Sequence, residues 1–117
     1  GRWQVQAMTK RERVERAVRI LREGAYGTVV WWGAGSTSVI LLNQIHTDLL
    51  SEIDLTIVDG DEQKWGCVVP GVGIEVQPFT SLSGRAVSKI VIASSFPGEI
   101  KETIRCYSIS AAKTHVL

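Results

Sequence analysis

Residues 29–40, VVWWGAGSTSVI, place two glycines, Gly33 and Gly35, between an apolar β-prone run and an apolar run suited to a helix. A strand that turns on glycine into a helix aims the helix's first backbone N–H groups, and the positive end of its dipole, at one spot. The chemistry of such a spot is the binding of phosphate. Gly33 permits a tight turn, and Gly35 lets a ligand approach the backbone closely. Ala34 completes the cradle between them, and Ser36 and Thr37 add hydroxyl donors. The G-x-G-x-x-G fingerprint of dinucleotide sites asks for a third glycine where this chain has Ser38. Its side chain must fit between strand and helix, so close packing is expected to suffer there. The expectation is an anion-receptive turn that binds weakly, on the order of millimolar, and catalyses nothing.

Two further residues belong with the turn. Asp59 closes the next apolar run, IDLTIVD, 24 positions after Gly35. At that place an acid either accepts hydrogen bonds from ribose hydroxyls or caps the following turn through its own side chain. Trp65 lies in the polar loop beyond it, where it either stacks on a base or sugar face or folds over the domain's own core. Trp31 and Trp32 point to opposite sides of their strand; Trp31 is expected in the core and Trp32 as a pocket wall.

Other chemistries find little support. Cys67, Cys106, His46 and His115 have no metal-ligand spacing, so no metal site is expected. There is no G-x-S-x-G elbow, no G-K-[ST] after the glycines, and no pair of residues spaced as nucleophile and base. No catalytic residue is assigned.

The elements that position the turn follow from periodicity. Thr9 and Glu12 form a capping box for a helix with Val14, Ala17, Val18 and Leu21 on one face, ended by Gly24. Its arginines are expected to stay in solvent. Gly27–Trp32 is predicted as a buried strand, and a helix capped by Ser36 runs from Thr37 to about Ile45, apolar almost all round. Ile53–Val58 is a second strand, parallel to the first across a right-handed crossover. Residues 59–73 are loop with an extended piece at Cys67–Val69. A brief strand at Ile74–Val76, a buried strand within Ala86–Ala93, a helix at Pro97–Cys106 and an extended end at 113–117 complete the chain. This alternation predicts an α/β domain of three layers, Rossmann-like, with a small, mostly parallel sheet.

The 117 residues suit one domain, placed at 9–117, with residues 1–8 expected to be a tag remnant or linker. Net charge is +1, but residues 1–23 carry seven Lys/Arg against three Glu, whereas residues 24–117 carry six against nine acids. Without a basic stripe interleaved with aromatics, no nucleic-acid partner is expected. No run approaches the roughly 20 apolar residues of a membrane span. Unlinked cysteines and the lack of a secretory signal suit the cytoplasm.

Several local patterns, in order, resemble the C-terminal domain of the sugar C-methyltransferases. Trp32-Gly33-Ala34 is similar to that family's aromatic-Gly-Ala turn. Val58-Asp59 with Lys64 and Gly66 is similar to its Val-Asp…Lys-x-Gly loop. Val69-Pro70-Gly71 with Ile74 is similar to its Pro-Gly-x-x-Ile piece, and Ser95-Phe96 with Glu99-Ile100 to its Asn-Phe…Glu-Ile helix start. Together they span residues 29 to about 105. The family turn carries Lys-Gly where this chain has Thr37-Ser38, so another group must take over any phosphate contact or the site has drifted. The resemblance implies a Rossmann-like domain that faces a nucleotide-sugar or serves as scaffold. S-adenosylmethionine would belong to a separate methyltransferase domain, a partner in a full-length chain, and no cofactor is expected in this one. Two alternatives stand beside it. One is a small dinucleotide- or CoA-binding regulatory domain; the other is an interaction module docking through the basic helix Lys10–Arg22.

Overall fold

Two runs, VVWW and the IVI that ends VSKIVI, place apolar side chains on both faces, and only a strand covered on both sides can bury such a run. In the computed structural model, which describes residues 9–24, 27–45 and 47–117, they are the central neighbours of a five-stranded sheet. The tag or linker assignment for residues 1–8 lies outside the described residues, as does His46. Strands β1 (Thr28–Trp32), β2 (Asp54–Asp59), β3 (Val76–Pro78), β4 (Val87–Ile92) and β5 (Ala111–Val116) lie in the order β3-β2-β1-β4-β5. All four pairings are parallel. The sheet is thus wholly parallel, and β1 and β2 pair as predicted.

Helices cover both faces. Helices α1 (Lys10–Arg22), α2 (Ser36–Gln44) and α3 (Thr47–Glu52) lie on one side, where Ala17, Leu21, Leu42 and Leu49 pack against Trp31, Ile57 and Val91. Helix α4 (Pro97–Cys106) and the 3-10 turn Phe79–Leu82 lie on the other, over Trp32, Val58, Ile90 and Ile92. These are the three layers of a Rossmann-like α/β fold. Trp31 is fully buried.

Helix α1 carries the expected capping box: the Thr9 hydroxyl accepts from the Glu12 N–H, and Glu12 reaches back to the Thr9 N–H. Its buried face also includes Ile20. Arg13 and Arg16 are half-buried, not in open solvent as expected, because their stems lie along the body of the domain. At its other end, buried Lys89 of β4 donates to the carbonyls of Ile20 and Glu23, satisfying acceptors that the helix leaves open. Burial pushes the Lys89 ammonium below its ordinary pKa.

Four local expectations need correction. Gly35, not Ser36, is the N-cap of α2; its backbone is extended and its carbonyl accepts from the Val39 N–H. Helix α2 is not buried all round either, since Ile40 is 47% exposed. The six-residue α3 went unread because it is too short to display a helical period. Strand β3 starts two residues late: Ile74 and Glu75 serve a small antiparallel hairpin, with Val68 bridged to Glu75 and the Val69 N–H on the Ile74 carbonyl. Pro78 is tolerated in β3 because that strand is the sheet's edge.

Candidate functional site

The strand order reverses direction between β1 and β4. From β1 the chain travels outward to β2; from β4 it travels the other way to β5. In open parallel sheets the crevice at such a switch point, beyond the carboxyl ends of the strands, is where ligands bind. Here two helices, α2 and α4, start on either side of it. A cleft of about 440 Å³ occupies this position, within the usual range of about 300–1,000 Å³ for small-molecule sites.

Gly33 makes the crevice possible. Its N–H donates to the Val58 carbonyl at 2.9 Å and the Ala93 N–H donates to the Trp32 carbonyl at 2.9 Å, so three strand ends converge on it. Its φ is +129°, and a Cβ there would stand 2.3 Å from the Ala93 carbonyl oxygen. Gly35 is different. Its φ is an ordinary −75°, and the nearest atom to a Cβ would be the Lys64 Nζ at 4.0 Å. Space beside Gly35 is open to the cleft.

Ser38 is a component of the turn. Its hydroxyl accepts from the Trp31 indole N–H at 2.6 Å and donates to the Gly33 carbonyl at 2.6 Å. The expected loss of close packing is therefore offset: buried Ser38 satisfies two polar groups that a glycine would leave bare. The serine and Trp31 belong together.

Asp59 holds the turn from the other side. One carboxylate oxygen accepts from the Ala34 N–H at 2.7 Å, and the other from the Asp61 N–H at 2.8 Å, an Asx turn. The turn-capping role is thus made, and Asp59 also lines the cleft. Ala34 spends its N–H on Asp59 and does not line this cleft. Trp65 donates from its indole to the Asp59 carbonyl at 2.6 Å and packs against the core beside the edge of Phe79. It too lies outside the cleft lining. Gly33, Gly35, Ser36, Thr37 and Asp59 are brought together; Ala34 and Trp65 support them from behind.

The donors left at the cleft are those of α2. No side chain caps this helix, so its leading N–H groups at Ser36 and Thr37 face outward. Two cations join them. Lys64, from the 3-10 turn Glu62–Lys64, sits with its Nζ 3.7 Å from Asp59 Oδ2, and Arg13 of α1 reaches the same cleft. Lys64 thus brings a positive charge to the cleft beside Asp59. Sequence reasoning noted Lys64 only as part of a resemblance and missed Arg13, which is 20 residues upstream of Gly33. On the far wall the Ser94–Phe96 loop after β4 was also missed as a lining segment. A buried strand followed by a proline-started helix was its available signal.

Among the described residues no helix is long and apolar enough to cross a membrane, and no cluster of three His, Cys, Asp or Glu could hold a metal ion. Fold and crevice define the class: a Rossmann-like α/β domain with an open helix N-terminus at its switch point. No protein-family model and no curated protein matches this chain.

Proposed function

We propose that this domain binds a phosphate-bearing small molecule, a nucleotide or a nucleotide-linked sugar, at the N-terminus of α2, and performs no chemistry by itself. The observation that carries the reading is the convergence of uncapped N–H groups, Lys64 and Arg13 on one cleft at the switch point. Backbone donors with a helix dipole suit a phosphate, and charged side chains strengthen each contact. The resemblance to the C-terminal domain of sugar C-methyltransferases favours a nucleotide-sugar among such ligands. On that reading a methyltransferase domain is the partner and holds S-adenosylmethionine. A cytoplasmic setting accords with the free, exposed Cys67 and Cys106.

The test is a titration of the isotope-labelled protein with uridine- and thymidine-diphosphate sugars, NAD and coenzyme A, followed by amide shifts. Shifts centred on residues 33–38 and 64 are expected with the true ligand class, and Gly35→Val should abolish them. Shifts confined to residues far from this turn contradict the assignment.

A further inference from the structure

The two edges of the sheet are finished differently. Edge strand β3 is three residues long and ends in Pro78, which has no N–H to offer a neighbour. Edge strand β5 runs for six residues, AAKTHV, without proline or glycine, and Ala112, Lys113 and Thr114 are exposed. Its inner side pairs with β4, and beyond its end the Leu117 N–H donates to the Ile92 carbonyl. Backbone groups alternate in direction along a strand, so those of Val116 and Thr114 turn outward. No hydrogen bond from another described residue satisfies them there. An open edge of this kind accepts a further strand.

Charge narrows what can be added. Lys113 stands beside Lys89 and His115 beside Val91, so both side chains lie on the α1 face. There Lys89 donates to the last carbonyls of α1, and Arg16 belongs to the same helix. The Arg16 Nε–H is buried and finds no acceptor among the described residues. His115 feels the surplus of positive charge. Burial first, and then Lys89, Arg16 and Lys113, push its pKa below the ordinary value, with Glu23 alone opposing them.

A second copy of this chain fits this edge poorly. Antiparallel pairing of two β5 edges sets one basic group of residues beside another on the same face, and facing like charges destabilise a sheet. A nucleic acid meets the charge but not the edge, because its backbone brings no N–H groups to the open carbonyls. An extended peptide brings both. Carboxylates at every second position of such a peptide all fall on the α1 face.

We propose that the β5 edge is a docking site for an extended acidic segment of a partner protein, which adds to the sheet as a further strand and sets alternate carboxylates against Lys113, His115 and Arg16. None of these three residues lines the phosphate cleft, so this site stands or falls apart from the phosphate reading.

The experiment titrates a capped peptide of alternating Glu and Thr into the isotope-labelled whole chain at low salt. Amide shifts should run along residues 111–117. The His115 ring should titrate at a higher pH in the complex, because carboxylates join its surroundings. The same peptide with Lys in place of Glu should not bind. Of two versions N-methylated at all Glu or at all Thr residues, one should bind about 10-fold or more weakly, since it keeps the charge and loses the edge hydrogen bonds. In the protein, Lys113→Glu should weaken binding by about 10-fold, as it removes an attraction and adds a repulsion. Its melting temperature should hold, because Lys113 is exposed. Equal affinity for the lysine peptide, for both N-methylated peptides or for Lys113→Glu overturns the proposal. Shifts centred on residues 33–38, or an equal response of residues 111–117 to oligothymidylate, overturn it as well. Self-association of the chain through residues 111–117, seen as shifts on dilution, gives the edge to a second copy and likewise overturns it.

Discussion

The two strand-to-helix junctions that flank the crevice have the same position in the fold and opposite construction. At the β1–α2 junction three residues are held by other elements: Gly33 by the strand ends, Ala34 by Asp59, Ser38 by Trp31. At the β4–α4 junction the Ala93 N–H is tied to the Trp32 carbonyl, and beyond it the ties are local. The Ser94 hydroxyl accepts from the Phe96 N–H at 3.1 Å, Pro97 starts the helix, and no side chain caps it. The first junction is anchored to the rest of the sheet. The second presents a side chain, Phe96, whose surroundings leave it free to be exchanged. Anchorage and exposure are thereby divided between the two loops.

The comparison breaks most visibly at Gly33. An alanine there meets both a backbone clash and a positive φ, so Gly33→Ala should cost on the order of 3 kcal/mol or more in denaturant melts. A loss under about 1 kcal/mol would mean that β1 and β4 are not locked together at this point. Next comes Ser38→Gly, which restores the fingerprint glycine. It should nevertheless destabilise the domain by about 1–3 kcal/mol, because Trp31 Nε1 and the Gly33 carbonyl lose their buried partner. A neutral or stabilising result would return Ser38 to the role of a poor substitute. At the second junction Phe96→Ala should change stability by less than about 0.5 kcal/mol, since an exposed side chain has little packing to lose. A larger loss would show that Phe96 supports the fold, and would remove the contrast between the junctions.

Much of this was legible in the residues. Continuous apolar runs located β1, β2 and β4, and a capping box located α1, because burial and caps leave marks at short range. Asp59 and the two glycines could be connected because the fold brings a strand's end and the next strand's end side by side. Lys64 and Arg13 could not be placed from spacing. Their arrival at the cleft depends on how a 3-10 turn and the first helix pack, which is a long-range outcome. Ser38 shows the same limit: its type suggested a defect, and only the neighbouring indole N–H reveals it as a partner. The early hairpin at Val68 and Glu75 displaced β3 because short apolar segments do not say which neighbour they will pair with.

The proposed role of Lys64 is to supply positive charge to a phosphate at the N-terminus of α2. It is tested most directly by calorimetric titration of inorganic pyrophosphate into the wild-type protein and Lys64→Gln at low and moderate salt. Lys64 is 38% exposed and its pairing with Asp59 is long, so the substitution should barely alter the melting temperature. Affinity should fall by roughly 10-fold or more, the worth of one charge-assisted phosphate contact, with a shallower dependence on salt. Equal affinity and an unchanged salt dependence in the two proteins would contradict the account.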